Sequence, residues 1–235
     1  MPTRFRNRSP GGRRQQPGVP GILGWVFLLP LTGCATATLA MLLADADIKL
    51  VEQTLTQCAQ AANQKVNEED AELKGQEPDR EQCRKVVRRE GNREVTRAME
   101  LGAKKHALAV DCVRKALAQL FPNNASLEPT YQRDPTTGQW RWIDPNQVAE
   151  WLQLGLTSQL WGALVPDVVV HASGNPNQVQ RVYDFKFPCP PTNDPSWGRY
   201  APGQPHYPKN QGAMYKEALL GGKSEPQPVT PTGVK

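Results

Sequence analysis

Histidine is scarce in this chain of 235 residues: His106, His171 and His206 are the only three, and they sit far apart. None of the five cysteines falls in a Cys-x-x-Cys pair, so no zinc-finger spacing can be drawn. Acidic residues are missing from the first 33 positions, which hold five arginines (Arg4, Arg6, Arg8, Arg13, Arg14). Setting those five aside leaves 23 basic against 23 acidic residues, so the formal charge of +5 belongs to the N-terminus. The basic whole-chain balance is therefore no evidence of nucleic-acid binding. A membrane-spanning run is also lacking near that end. The apolar stretch Val19–Leu31 is shorter than the about 20 residues that a spanning helix needs.

That cationic start, the short apolar stretch and Thr32-Gly33-Cys34 together resemble a bacterial lipoprotein signal. The charged end stays inside while the apolar stretch enters the membrane. The resemblance implies cleavage after residue 33 and lipidation of Cys34, which tethers the protein to a membrane surface without spanning it. The Arg13-Arg14 pair lacks the residues that follow a twin-arginine signal. Cys58, Cys83, Cys112 and Cys189 remain, an even number that permits disulfides in an exported chain. Three pairings are open, as are buried free thiols; a Cys58–Cys83 bridge would lie beside an interhelical loop.

Residues 35–120 are predicted to be helical, with apolar positions from Leu42 to Val66 and from Val86 to Leu120 at helical spacing. A polar stretch, Asn67–Asp79, joins two antiparallel helices, and Asp79 is placed to cap the second. Residues 80–115 carry 11 Lys or Arg against five acids, either flanking a phosphate backbone or forming a solvated face of ion pairs. The texture changes at Tyr131. A hairpin is expected over 131–143, turning at Pro135–Gly138. Asp144-Pro145 opens a helix to Leu160 that would bury Val148, Trp151, Leu152 and Leu156. Strands follow at Asp167–His171 and Val179–Phe187, then a Pro/Gly-rich loop over 188–208. Asn210 caps a last helix, Gln211–Leu220, stopped by Gly221-Gly222. The tail from Lys223 is expected to be disordered, with Val229–Val234 able to form a short edge strand.

The chemistry gathers at Pro166-Asp167 and, 17 positions after Asp167, Asp184-Phe185-Lys186. Alternate residues share a face of a strand, so Asp184 and Lys186 point the same way, and a hairpin partner can bring Asp167 beside them. Two carboxylates and an ammonium suit a hard cation, Mg²⁺ or Mn²⁺, that keeps waters for a substrate phosphate. The lysine can orient or deprotonate the attacking water. As structure alone, the same residues would be a mid-strand ion pair, which adds little stability.

These elements resemble the PD-(D/E)XK superfamily of nucleases, with Pro166-Asp167 as the PD element and Asp184-Phe185-Lys186 as the (D/E)XK element. Gln211 and Tyr215, four apart and thus on one helical face, are similar to a pair in exonuclease-like branches of that superfamily. The resemblance covers residues 130–222. It implies an α/β fold in which an N-terminal helical hairpin precedes a restriction-endonuclease-like core, a small mixed β-sheet flanked by helices. The implied division is a signal over 1–33, a helical region over 34–125, a nuclease-like domain over 126–222 and a tail over 223–235. The family often adds a Glu from the first core helix, for which Glu150 is the candidate and Asp144 the second choice. His171 reads as a surface residue, and Trp197 and the His206-Tyr207 loop as packing or substrate contacts. The run Tyr183–Cys189 and the Trp-Gly loop also resemble toxin domains of bacterial polymorphic toxin systems. That resemblance implies an outer-membrane lipoprotein toxin, a nucleic-acid substrate with DNA favoured, a cognate immunity protein, and action in a target cell's cytoplasm. The alternative from another class is a non-enzymatic envelope lipoprotein that binds a protein partner.

Overall fold

Two adjacent antiparallel strands, β6 (Val168–Ala172) and β7 (Asn175–Phe185), form the centre of the protein in a computed structural model that describes residues 41–235. The signal segment and Cys34 lie outside the described residues. Ahead of this pair the chain runs α1 (Asp45–Glu69), α2 (Arg80–Arg84), β1 (Val86–Glu90), β2 (Arg93–Thr96), α3 (Arg97–Leu120) and β3 (Ala125–Leu127). A hairpin of β4 (Thr130–Arg133) and β5 (Trp140–Ile143), helix α4 (Pro145–Gln153) and a 3₁₀ turn (Thr157–Leu160) complete the approach to β6. After β7 come α5 (Gln211–Ala218), β8 (Gln227–Thr230) and β9 (Gly233–Val234). The five-stranded sheet has the order β3-β6-β7-β8-β9, with β7 and β8 parallel and the other neighbours antiparallel. The protein is thus α/β, with a mixed sheet and helices against it.

Alternation along the strands sorts the core into two layers. Val168, Val170, Tyr183 and Phe185 pack with Ile48, Val51 and Leu55 of α1 and Ala109, Val113 and Leu117 of α3. Val169 and Val182 pack the other way, with Tyr131, Leu164, Met214 and Tyr215. Because α1 and α3 cover the sheet directly, the expected division near residue 125 does not separate two cores. Burying each such Val or Leu contributes about 1.5–3 kcal/mol.

The expected helix from Asp79 to Leu120 is replaced by four elements, two helices with the two strands of a hairpin between them. Asp79 does cap a helix, exchanging hydrogen bonds with Gln82 in a capping box, but α2 lasts five residues. The β-branched Val86 and Thr96 then pair, as do Arg88 and Val95 with Val87 bulged between, in a hairpin around Gly91, whose φ of +59° suits the turn. Thr96 caps α3 through Met99 N. The charges of this region form ion pairs: Arg89–Glu94, Arg97–Asp70, Arg114–Glu128 and Lys115–Asp111. Three of these pairs are exposed, as on a solvated face, whereas Arg97–Asp70 is largely buried.

Asp144 caps α4, with Pro145 in the first turn, as expected. The helix nevertheless ends at Gln153, and Gly155 with φ +71° redirects the chain. None of its residues is buried, and Leu152 and Leu156 are exposed. The tail is not free: β8 pairs in parallel with Tyr183–Phe185, and Val229 is fully buried. The disulfides are Cys58–Cys112, joining α1 to α3, and Cys83–Cys189, joining α2 to the loop after β7. The Cys58–Cys83 bridge is not formed. His171 is 3 % exposed rather than on the surface, sharing a hydrogen bond with Ser126 Oγ at 2.9 Å. Among the described residues no helix is long and apolar enough to cross a membrane.

Candidate active site

The β6–β7 register pairs Val168 with Tyr183, and one step further brings Asp167 to the level of Asp184. Both carboxylates are buried, at 8 % and 4 % exposure. Asp167 is held at both oxygens: Oδ2 accepts from Phe185 N at 2.6 Å, and Oδ1 lies 2.9 Å from His106 Nε2. Asp184 follows Val182 onto the α5 face of β7, and Lys186 follows Asp184. Lys186 Nζ donates to Asp184 Oδ1 at 2.5 Å and to Gln211 Oε1 at 2.9 Å.

Asn210 caps α5 by accepting from Ala213 N, which sets Gln211 at the first helical position. From there Gln211 Nε2 donates to Asp184 Oδ2 at 3.1 Å and to the Tyr215 hydroxyl at 2.9 Å. Tyr215 lies one turn further along the same face and donates to Val165 O at 3.0 Å, just ahead of Pro166-Asp167. Asp184, Lys186, Gln211 and Tyr215 therefore form one hydrogen-bonded network, and Asp167 lies beside it, close enough for its charge to act on Asp184. Glu150 stands apart from it: the side chain is on exposed α4 and accepts from neighbouring Gln147 at 3.1 Å. Asp144 is occupied as the α4 cap.

Two residues outside the motifs complete the surroundings. His106 lies on α3 three positions before Ala109, on the face turned to the sheet, and meets Phe185 edge-on at 6.4 Å. No short motif marks it; the available signal was its helical spacing from the buried Ala109, Val110 and Val113. Trp197, from the loop after β7, places its ring 4.9 Å from Lys186 Nζ and edge-on to Tyr215. Gly212 makes this approach possible, since a Cβ there would lie 2.7 Å from the Trp197 ring.

Burial pushes the Asp184 carboxyl up to about 6, with a further upward push from the Asp167 charge that Lys186 only partly offsets. His106 is shifted upward, first by its hydrogen bond to Asp167, against the opposing effect of burial. A buried carboxylate that resists ionisation beside a second carboxylate is what a divalent cation would relieve, and oxygen donors suit Mg²⁺. Among the described residues, no three His, Cys, Asp or Glu side chains converge on one point. Two carboxylates completed by waters nevertheless fit an ion that keeps much of its hydration. No family model matches the chain, and no curated protein or solved structure matches it.

Proposed function

We propose that the protein is a metal-dependent nuclease, hydrolysing phosphodiester bonds with DNA as the favoured substrate. The observation that carries this reading is the network joining Asp184, Lys186, Gln211 and Tyr215, with Asp167 held beside it at the level of Asp184. The order α3-β3-β6-β7-α5-β8, with three antiparallel strands and a fourth joined in parallel through α5, supports a restriction-endonuclease-like core.

Asp167 and Asp184 would hold Mg²⁺ or Mn²⁺. When bound, the ion supplies Lewis acidity toward the phosphate and lowers the pKa of a water. Lys186, fixed by Gln211 and stacked on Trp197, orients the attacking water and balances charge growing on the phosphate oxygens. The water oxygen bonds to phosphorus as the P–O bond to the leaving oxygen breaks, and a proton returns to that oxygen. Tyr215 holds Gln211, and His106 and Phe185 N–H hold Asp167, so each acting group has its own support.

The wider reading is an exported lipoprotein toxin, anchored at Cys34 in the envelope and acting in a target cell's cytoplasm. The two disulfides support passage through an oxidising compartment. A cognate immunity protein follows from a nuclease held by its producer. Leu152, Leu154 and Leu156 remain exposed on and after α4, which favours a second reading, a non-enzymatic envelope lipoprotein that binds a protein partner. Incubating the purified protein with plasmid DNA and with RNA, in Mg²⁺ or in EDTA, separates the two. Cleavage in Mg²⁺ and none in EDTA supports the nuclease; well-folded protein inert on both substrates supports the second reading.

A further inference from the structure

Trp161 and Tyr207, 66 % and 55 % exposed, are the aromatic side chains left in the open among the described residues. Both line one groove of about 840 Å³, within the size range of ligand clefts. Trp140, His206, Arg133 and Lys209 line it with them. The groove adjoins the catalytic network. Met214 of α5 forms part of its wall, three residues after Gln211, and Lys209 lies two residues before it.

Rings from the same apolar cluster lie at both places. Trp197 lies over Lys186. Tyr200 meets His206 edge-on at 5.2 Å, and His206 lies 5.8 Å from Trp140. The Tyr200 hydroxyl is shifted upward by burial and by the charge of Asp184, which puts it within that carboxylate's field. His206 is fixed in place, sharing a hydrogen bond with Gly162 O at 2.9 Å while its backbone holds a φ of +72°.

We propose that this groove binds an unpaired nucleic-acid strand, stacking its bases on Trp161 and Tyr207 and leading its backbone toward Asp184 and Lys186. The proposal rests on the nuclease reading and names the form of its substrate. A duplex presents base edges in its grooves, whereas an unpaired strand offers ring faces that stack on aromatic side chains regardless of sequence. One lining cation, Arg133, is left to face the backbone of such a strand. Asp134 is paired with Arg141 and Glu217 with Lys209, while Arg133 donates to Gly138 O and has no carboxylate partner among the described ion pairs.

Fluorescence anisotropy of the full-length protein in EDTA, where no cleavage competes, tests this with a labelled 12-nucleotide oligothymidylate and a duplex of the same length. Trp161→Ala and Tyr207→Ala each remove an exposed ring and leave the cores intact. Each is expected to weaken single-strand binding about tenfold, with duplex binding weaker in the wild type and changed less. Cleavage in Mg²⁺ is measured on the same samples. Unchanged single-strand affinity in both variants, with cleavage intact, overturns the groove and leaves the nuclease standing. Trp161-dependent binding without cleavage of any nucleic acid supports the groove and removes the hydrolytic reading. If the wild type does not bind the single strand, the proposal fails and the groove is left to a protein partner.

Discussion

The two faces of β7 differ more than any two separate elements of this protein. Toward α1 and α3 the strand presents Tyr183 and Phe185 to a dry apolar layer tied by Cys58–Cys112. Toward α5 it presents Val182, then Asp184, with Lys186 next in the alternation; two of these three groups are ionisable and held by a glutamine. One face is stable as built, and the other keeps a carboxyl that burial pushes toward the neutral form. Structure and chemistry thus share a strand by alternation.

The largest expected effect on stability lies on the dry face. Replacing Cys58 and Cys112 together by alanine removes a link across 54 positions of sequence and is expected to cost about 2–5 kcal/mol in urea unfolding. Cleavage measured well below the new melting point should be kept; its loss there would mean the faces are not separable. On the polar face the sign reverses. The Asp184 carboxyl, pushed up to about 6, binds its proton more tightly in the folded than in the unfolded state. Metal-free wild type should therefore lose stability as pH rises from about 4 to about 6, by at most ~3 kcal/mol. Asp184→Asn should flatten that decline and melt a few degrees higher near pH 7.5, which differential scanning calorimetry would show. A melting point lowered by the substitution would refute the idea that this charge is held at a cost.

Smaller effects should mark the supports. His106→Ala is expected to lower cleavage about 10–100-fold, with partial recovery in His106→Gln, which keeps a donor toward Asp167. Since His106 titrates above its usual 6.5, its contribution to stability is full below that pH and fades as pH rises through the shifted value. Gly212→Ala should have the mildest effect, a several-fold loss as Trp197 is pushed from Lys186, read by cleavage rate and by the change in Trp fluorescence. Unchanged rate and fluorescence would show that the ring does not need that approach.

The grouping of Asp167, Asp184 and Lys186 was legible in the sequence because strand alternation and one hairpin suffice to bring them together. Gln211 and Tyr215 were legible because four residues make nearly one helical turn. The caps Asp79, Asp144 and Asn210 also functioned as such, since a side-chain oxygen bonding the next turn is a local event. Where the decisive partner was distant, local reading failed. Nothing near Cys83 points to Cys189, 106 positions away, and nothing near Val229 reveals that β7 offers it a parallel edge. The hairpin over 86–96 was hidden by apolar positions read at helical spacing from Val86 to Leu120, while its β-branched residues and Gly91 carried the opposite signal. Glu150 was expected on the first core helix, but α4 packs outside the core and α3, carrying His106, lies against the sheet.

Nicking of supercoiled plasmid in Mg²⁺ by wild type, Asp184→Asn, Lys186→Ala and Glu52→Gln tests the division of β7 most directly. Glu52 accepts a hydrogen bond from the Tyr183 hydroxyl on the dry side and serves as the matched control. Wild type and Glu52→Gln should nick at similar rates, while Asp184→Asn and Lys186→Ala fall by about 10²–10³-fold or more. Equal rates in all four proteins, or no cleavage of plasmid or of single-stranded DNA by folded wild type, would contradict a hydrolytic centre on the polar face of this strand.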